Sequence, residues 1–343
     1  MNMPHAITQN IPLAPYTTLG AGGKAEFFVT VKTQAELRDV VMWAKKEHHP
    51  ITILGGGSNI LVEDGGVKGL VIRVQCTEIL YTEIDSDTVH VTIGAGVSLD
   101  TCVLELVQRK LWGLENLSGI PGTMGAVPIQ NVGAYGVEAK DVVVCVSVYN
   151  TETDTVDELT NEACRFGYRD SLFKHEDEKK YIILSVTCVV THTPQRKLAY
   201  KDLEIYFREN STPSIDEVRV AVLAIRSKKF PDWNIVGTAG SFFKNPIIPK
   251  SEYESLQVKY PDIPGYAVSG GMVKIPLGWV LDSVLHLKGH REDGVGLFEE
   301  QALVLVCEKG TSSENIKNFS QKIIDRVMEE TGLIVEREVT ILK

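Results

Sequence analysis

The sequence lacks the features that mark metal-binding, disulfide-bonded and membrane-spanning proteins. Its six cysteines form no CxxC pair and no cysteine–histidine cluster at zinc spacing, which favours small buried thiols in a reducing compartment over a metal centre. No apolar run approaches the length of a bilayer span, and residues 1–12 show no basic stretch followed by an apolar core. We therefore expect a cytoplasmic protein with no metal and no membrane partner.

Positive charge is also in deficit. The 343 residues include 35 Lys and Arg against 45 Asp and Glu, a formal net charge of −10. Nucleic acids and anionic membranes bind basic faces, so this balance argues against both as main partners. Residues 226–250 depart from it with five basic side chains and one acidic side chain, which is enough for a local anion site.

Helical and strand-like patterns alternate along the chain and predict an α+β fold in more than one layer. At about 150 residues per domain, the length predicts two or three domains. Capping boxes at Thr33–Glu36, Ser214–Glu217 and Thr311–Glu314 open three of the predicted helices. Helices are predicted near 34–49, 98–110, 214–226, 276–286 and 312–331, and strands at 51–54, 69–74, 88–93, 142–150, 181–191, 302–307 and 333–342.

The first candidate site is a glycine loop directly after the predicted strand Ile51–Leu54. It reads Gly55-Gly56-Gly57-Ser58-Asn59, and glycine allows the backbone to approach an anion closely. No helix follows, because Ile60–Val62 looks extended, so the loop is not a dinucleotide-binding fingerprint. By itself, the loop is equally consistent with a phosphate cradle and with a plain tight turn.

A second loop, rich in glycine and amide side chains, runs from Gly113 to Gly136. Loops of this length inside a compact domain are usually functional, although a surface loop that only connects two elements is the alternative. Two such donor-rich loops in one domain look like the two halves of a dinucleotide clamp. The two loops together indicate dinucleotide binding more specifically than either loop does by itself.

Three later segments carry polar groups that could act on a substrate, and each has an ordinary structural explanation. Residues 165–171, which include Arg169, could be a charged surface turn. Residues 237–246, with Ser241 and Asn245, could cap a helix. Glu336 and Glu338 lie two apart on a predicted strand and would share one face, which is usually the solvent face.

Taken together, these segments resemble the UDP-N-acetylenolpyruvoylglucosamine reductases, and the similarity extends from Thr17 to Glu338. The matching runs occur in the family's order and spacing: Gly-Gly-Gly-Ser-Asn, Ile-Pro-Gly, Gln-Asn-Val-Gly-Ala-Tyr-Gly, Cys-Arg-Phe-Gly-Tyr-Arg-Asp-Ser and Ala-Gly-Ser-Phe-Phe-Lys-Asn-Pro. The resemblance implies an FAD-binding unit of the vanillyl-alcohol-oxidase (PCMH) type, made of two α+β subdomains, and a third α+β domain for substrate. The expected boundaries are 1–75, completed by a C-terminal strand at 333–343, then 76–228, then 229–332.

The resemblance also implies roles for individual residues. Arg169, Ser241 and Glu338 fall on catalytic positions, and Tyr200 falls on the tyrosine loop of the form called type I. The substrate contacts implied are Tyr135, Tyr200, Lys229, Asn245 and Gln301. The FAD contacts implied are Gly55, Gly56, Gly57, Ser58, Asn59, Ser118, Ile120, Pro121, Gly122, Gly125, Ala126, Gln130, Asn131 and Gly133. One departure is the acidic pair Glu299-Glu300 before Gln301, where some relatives carry a basic residue.

The activity implied is reduction of the enolpyruvyl group of a UDP-sugar, which yields UDP-N-acetylmuramate for peptidoglycan synthesis. Hydride would pass from NADPH to FAD and then to the substrate β-carbon, with Ser241 protonating the α-carbon. Arg169 and Glu338 would stabilise the negative charge that develops on the carboxylate. We expect a monomer. The alternatives are a flavin oxidase of the same superfamily and a non-catalytic protein that binds nucleotide-sugars.

Overall fold

A computed structural model describes residues 6–343, in which helices and strands alternate as the sequence predicts. The helices are α1 (Gln34–Lys46), α2 (Leu99–Gln108), α3 (Lys201–Tyr206), α4 (Ile215–Lys229), α5 (Lys250–Lys259), α6 (Leu277–Trp279) and α7 (Ser313–Thr331). The strands are β1 (Thr8–Pro12), β2 (Lys24–Val31), β3 (Ile51–Leu54), β4 (Ile60–Val62), β5 (Val67–Val74), β6 (Ile79–Glu83), β7 (Thr88–Gly94), β8 (Gly133–Ala134), β9 (Val137–Glu138), β10 (Val143–Asn150), β11 (Thr155–Thr160), β12 (Tyr181–Thr191), β13 (Gly237–Ser241), β14 (Ile247–Pro249), β15 (Tyr266–Val268), β16 (Met272–Lys274), β17 (Arg291–Glu292), β18 (Val295–Leu297), β19 (Val304–Cys307) and β20 (Thr340–Leu342). The mixed content confirms the α+β prediction.

The chain divides into two units, each with its own hydrophobic core. Unit 1 contains the chain up to Ile11 together with Ala25–Gly57 and Lys68–Arg226. Unit 2 contains Pro12–Lys24, Ser58–Val67 and Ser227–Lys343. The three domains expected from the sequence do not follow these units, because residues 12–24, 58–67 and 333–343 of the expected first domain lie in unit 2. The division into three domains stays a prediction.

Unit 1 is built on two sheets. One has the strand order β1-β2-β5-β3, with β3 and β5 parallel, and the other is antiparallel with the order β11-β10-β12-β7-β6. The predicted capping box starts α1: the Glu36 N–H donates to the Thr33 hydroxyl at 3.2 Å, and the Thr33 N–H donates to the Glu36 carboxylate at 3.3 Å. This reciprocal pair satisfies two backbone donors that the first turn leaves open. The apolar stripe of α1 then buries Leu37 and Val41 completely.

Unit 2 combines three small sheets with the long helix α7. The strand orders are β13-β19-β18-β17, β14-β16-β15 and β20-β4, and the last pair is parallel. Helix α7 buries Ile316 and Val327 and ends at Gly332, whose φ of 73° is left-handed. Glycine reaches that conformation without steric cost, so it ends the helix cleanly.

Three details differ from the sequence-based prediction. Only Leu277–Trp279 is α-helical in the span predicted at 276–286, and a π-helical turn follows at Val280–Val284. Ser312 caps α7, accepting the Asn315 N–H at 3.1 Å, where a box from Thr311 to Glu314 was expected. The predicted strand at 333–342 is regular only at Thr340–Leu342.

The cysteines are free thiols, as their scattered positions predict. Cys102, Cys164, Cys188 and Cys307 are buried, and Cys76 and Cys145 are half-buried. Burial raises the pKa of Cys102 and of Cys164 to about 12, which keeps both protonated and unreactive at neutral pH. Among the described helices, none has the length and apolar character to cross a membrane.

Candidate active site

The two glycine-rich loops predicted to form a clamp meet within unit 1. A Cβ placed on Gly56 would lie 2.6 Å from the Cα of Gly122, and a Cβ on Gly55 would lie 2.9 Å from the Thr123 hydroxyl oxygen. Real side chains do not tolerate such contacts, so the loops can approach this closely only because these positions are glycine. Gly55 and Gly56 therefore lie directly against residues 122–126 of the second loop, and the binding of a dinucleotide there stays a prediction.

Thr123 supplies an unsatisfied group where the loops meet. Its hydroxyl oxygen is buried and has no hydrogen-bond partner among residues 6–343. A buried hydroxyl without a partner costs free energy unless a ligand satisfies it. Together with the glycines, Thr123 forms a narrow cradle that fits a phosphate group, so the residues present fit the pyrophosphate of FAD.

The start of the second loop is held by an ion pair. The Gly119 N–H donates to Asp100 at 2.6 Å, and the Arg219 guanidinium binds both oxygens of the same carboxylate at 2.7 and 3.0 Å. Burial by itself would raise the pKa of Asp100, but the hydrogen bonds from Arg219 and Gly119 outweigh it and lower that pKa. Asp100 on α2 and Arg219 on α4 are thereby joined to the second loop at Gly119.

Replacing Asp100 by Asn should destabilise the protein in a pH-dependent way. Because folding lowers the pKa of Asp100, its contribution is complete above the unfolded carboxyl pKa of about 4 and is lost as the pH falls through the folded value. We expect a loss of about 1 kcal/mol at pH 7, a low value for a charged hydrogen bond because solvent screens the half-exposed carboxylate. Urea denaturation between pH 3 and pH 7 measures it.

The matched control for this substitution is Asp216→Asn. Asp216 pairs with Lys110 on the surface, and both side chains are more than half exposed, so the control should change stability by less than about 0.5 kcal/mol. A stability difference between wild type and Asp100→Asn that stays constant from pH 7 to pH 3 would contradict the assignment.

Asn131 and Arg169 lie together at the far end of the second loop. The Asn131 amide donates to the Gly167 carbonyl at 2.9 Å and to Glu138 at 3.0 Å, and its oxygen accepts the Lys140 N–H at 2.9 Å. Arg169 follows in the turn closed by the Gly167–Asp170 bridge, and its guanidinium donates to the Gly133 carbonyl at 3.4 Å. The structure thus brings the catalytic candidate Arg169 to the FAD-loop candidates Asn131 and Gly133.

Arg169 itself has a left-handed backbone, with φ of 51°. An arginine adopts this conformation rarely, and such residues concentrate at functional sites. The conformation of this turn places the Arg169 guanidinium against the second loop, which an ordinary charged surface turn would not require.

Tyr135 and Tyr200 form an aromatic pair in unit 1. Their ring centroids are 5.2 Å apart with the planes at 77°, an edge-to-face contact. Tyr135 is buried whereas Tyr200 is 43% exposed. Burial raises the pKa of Tyr135 to about 12, although the interaction with Arg226 acts in the opposite direction.

In unit 2, Ser241 and Glu338 lie on neighbouring segments. The Glu338 N–H donates to the carbonyl of Phe242 at 2.9 Å, and the Lys244 N–H donates to the carbonyl of Glu336 at 2.9 Å. These two bonds flank an antiparallel bridge between Phe243 and Arg337, and Phe242 is buried in the core of unit 2. Glu338, directly across from Phe242, is therefore held beside the end of β13, where Ser241 lies.

The two carboxylates predicted to share a face do not share it. Glu336 is exposed and pairs with the Lys244 ammonium at 2.7 Å, whereas Glu338 is only 9% exposed. Between them, Arg337 donates to the Ser320 hydroxyl at 2.9 Å and to the Gln321 side chain at 2.8 Å on α7. Arg337 forms an antiparallel bridge with Phe243, and a bend follows at residues 338 and 339. The acid before the bridge is exposed, and the acid at the bend is buried.

Three further candidates are fixed by short contacts in unit 2. The Asn59 amide donates to the carbonyl of Glu338 at 3.2 Å. The Asn245 amide oxygen accepts the Leu277 N–H at 2.9 Å. Gly278 follows Leu277, and a Cβ placed on Gly278 would lie 2.8 Å from the Gln301 amide oxygen. Asn245 and Gln301 therefore meet at the start of α6. The acidic pair before Gln301, Glu299 and Glu300, is exposed.

The candidate residues are divided between the two units. Lys229 is the last residue of α4. The candidates in unit 1 are Gly55, Gly56, Gly57, Ser118, Ile120, Pro121, Gly122, Gly125, Ala126, Gln130, Asn131, Gly133, Tyr135, Arg169 and Tyr200, and those in unit 2 are Ser58, Asn59, Lys229, Ser241, Asn245, Gln301 and Glu338.

Sequence reasoning missed Thr123 and Arg226 as site residues. Arg226 lies against the second loop, with its Nε 3.3 Å from the Cβ position of Gly119, and burial lowers its pKa. Arg219 and Arg226 are seven residues apart on one predicted helix, which places them on one face. That spacing is the signal that could have found them, whereas nothing in the sequence singles out Thr123 among the hydroxyls of its loop.

The cradle and the fold define the class of protein. Residues 25–158 match the family described as FAD binding domain. A VAO-type flavoprotein from Myceliophthora thermophila shares the fold, with a TM-score of 0.50 and 10% identity over 93% of this chain and 73% of that one. The chain is an FAD-containing oxidoreductase with a binding unit of the vanillyl-alcohol-oxidase type.

The C-terminal part of the chain shows which family of FAD-containing oxidoreductases this is. Residues 231–342 match the C-terminal domain of UDP-N-acetylenolpyruvoylglucosamine reductase. The enzyme of that name from Neisseria meningitidis serogroup B is 40% identical over 91% of this chain and 90% of its own length. A crystal structure of the Thermus caldophilus enzyme covers 98% of both chains with a TM-score of 0.68 and 25% identity. The chain belongs to the UDP-N-acetylenolpyruvoylglucosamine reductase family.

Proposed function

We propose that this protein reduces UDP-N-acetylglucosamine enolpyruvate to UDP-N-acetylmuramate with NADPH, a step in making peptidoglycan precursors. The observation that carries the proposal is the pairing in unit 2 that holds buried Glu338 beside the end of β13 and Ser241. Bound FAD supplies the hydride chemistry. The protein must orient the substrate, stabilise charge and deliver one proton.

Arg169 and Glu338 would stabilise the negative charge on the substrate carboxylate. Addition of hydride to the β-carbon of the enolpyruvyl group leaves electron density on the α-carbon and on that carboxylate. A guanidinium is always charged and presents a fixed fork of donors, which suits it to hold the carboxylate. A protonated Glu338 can donate to the other oxygen, and such preorganised donors are usually the largest contribution to catalysis.

Ser241 would deliver the proton to the α-carbon. A serine hydroxyl is a weak acid, so this role depends on neighbouring groups that stabilise the alkoxide. Ser241 ends β13, where it pairs with Val304 of β19, and this pairing fixes its backbone.

The UDP moiety would be bound by Lys229, Asn245 and Gln301, with Tyr135 and Tyr200 as further contacts. The net charge of the chain is −10, so binding of a dianionic diphosphate depends on local groups. Residues 226–250 supply five basic side chains against one acid.

The experiment that tests the proposal begins with the colour of the purified protein. We expect a yellow protein that releases FAD on denaturation and turns NADPH over catalytically only when the enolpyruvyl sugar is added, with UDP-N-acetylmuramate as product. Oxygen consumption with an alcohol or sugar and without NADPH would indicate a flavin oxidase. A colourless protein that releases no flavin and binds UDP-sugars without turnover would indicate a non-catalytic binding protein.

A further inference from the structure

Asn116 is a buried side chain that joins two segments of unit 1. Its amide nitrogen donates to the carbonyl oxygen of Tyr135 at 2.7 Å and to that of Lys197 at 2.8 Å. Asn116 is 0% exposed, and its bond to Tyr135 is buried whereas its bond to Lys197 is partly buried. One side chain therefore fixes the backbone at Tyr135 and, 62 residues later in the chain, the backbone three residues before Tyr200.

The segment that leads to Tyr200 is irregular, and Leu198 is its one partly buried apolar side chain against the core of unit 1. Residues 192–200 form neither helix nor strand, so no ladder of backbone hydrogen bonds fixes their path. Arg196 provides another anchor: its Nε donates to the Pro213 carbonyl at 2.8 Å, and its guanidinium lies 5.3 Å from the centre of the Trp112 ring. Tyr200 itself is the N-cap of α3, where its carbonyl accepts the Glu204 N–H at 2.9 Å. Asn116 and Arg196 therefore fix the path by which the chain enters this helix.

Asn116 is costly as a purely structural residue. Its amide oxygen is buried with no hydrogen-bond partner in the part of the chain that the structure describes. An unsatisfied buried oxygen destabilises the fold, and an apolar side chain of the same size would avoid that cost. What Asn116 provides in return is its pair of N–H donors, which only an amide of this shape can aim at both carbonyls.

We propose that Asn116 is a positioning residue for the UDP-sugar, because it holds the segment 197–200 so that Tyr200 stays against Tyr135. The proposal rests on the proposed function, since it takes the two tyrosines as substrate contacts. A segment that is already ordered loses less conformational entropy when the ligand binds. Asn116 therefore lowers the concentration of substrate that the enzyme needs without touching the reacting atoms.

The test is the isosteric substitution Asn116→Asp, which replaces the two donors by an oxygen facing two carbonyl oxygens. We expect the KM for UDP-N-acetylglucosamine enolpyruvate to rise about tenfold, equivalent to about 1.4 kcal/mol. The rate at which NADPH alone reduces the bound flavin should stay within about twofold of wild type. Amide hydrogen exchange of residues 193–203 should accelerate, which reports on the segment without any turnover.

The chain offers a matched control in Asn161. Its amide nitrogen also donates to two backbone carbonyls, those of Lys140 at 2.9 Å and Val143 at 2.7 Å. Asn161→Asp therefore makes the same chemical change in unit 1 without involving the tyrosine pair. It should lower thermal stability by less than Asn116→Asp, because Asn161 is only partly buried, and it should leave both the KM and the exchange of residues 193–203 at wild-type values.

A second variant covers the case in which Asn116→Asp does not fold. Arg196 is half-buried, so Arg196→Ala should fold, loosen the same segment and raise the KM severalfold. An unchanged KM in a variant whose segment exchanges faster would overturn the proposal, and so would unchanged exchange in Asn116→Asp. If wild type fails to reduce the enolpyruvyl sugar, the proposed function is wrong, whereas the exchange experiment still decides whether Asn116 holds the segment.

Discussion

Ser241→Ala should retain a flavin that NADPH bleaches but that the enolpyruvyl sugar no longer re-oxidises. If Ser241 delivers the proton to the α-carbon, its loss leaves binding and the first half-reaction intact and stops only the second. By analogy with the removal of one oxyanion-hole donor, turnover should fall on the order of 10²–10³-fold. Stopped-flow absorbance at the flavin band, with NADPH added first and substrate second, separates the two halves.

The control for this variant is Ser255→Ala. Ser255 lies on α5, where its hydroxyl donates to the Ser251 carbonyl at 3.0 Å on an exposed face. Its removal should leave both half-reactions within about twofold of wild type. Normal re-oxidation of the flavin in Ser241→Ala would rule out the assigned role, and slow bleaching by NADPH would place Ser241 in the first half-reaction instead.

Gly56→Ala should yield a protein with little or no bound FAD. The added methyl group would lie 2.6 Å from the Cα and 3.0 Å from the carbonyl carbon of Gly122. Both atoms belong to backbone, which cannot move aside as the end of a flexible side chain can. The two loops must separate, and the narrow cradle around the Thr123 hydroxyl opens. The ratio of flavin absorbance to protein absorbance after purification measures the loss.

Gly65→Ala is the matched control, because a Cβ at Gly65 has no atom within 4 Å and its φ is not left-handed. We expect wild-type flavin content from it. Full flavin content in Gly56→Ala would show that the close approach of the loops is not needed to retain FAD.

Local patterns predicted much of the fold because capping boxes and apolar periodicity act over a few residues. The boxes at Thr33 and Ser214 start α1 and α4 where predicted, through bonds between Ser214 and Glu217 of 2.7 to 3.3 Å in the second case. The strand expected at 333–342 was wrong over most of its length: only Thr340–Leu342 is regular strand, and Arg337 forms an isolated bridge to Phe243 while its side chain bonds to α7. Periodicity carries no information about such distant partners.

In the candidate site too, features that depend on nearby residues could be predicted, and features that depend on distant residues could not. The glycine loops could be found because glycine at those positions is itself the signal. The exposure of Glu336 and the burial of Glu338 could not be found, since alternation on a strand predicts that both face the same side. Asn116 also escaped sequence reasoning, because its partners are backbone carbonyls, which every residue has.

The path of the chain between the two units has a consequence for how the protein can be divided. Unit 2 draws Leu19 and Leu61 into its core from segments near the N-terminus, and β20 pairs with β4 at Ile60–Val62. A gene fragment that encodes only residues 227–343 would therefore leave β20 without its partner strand and the core without two leucines. The matched C-terminal region at 231–342 is a segment of sequence, but it is not an independent piece that could be transplanted or expressed by itself.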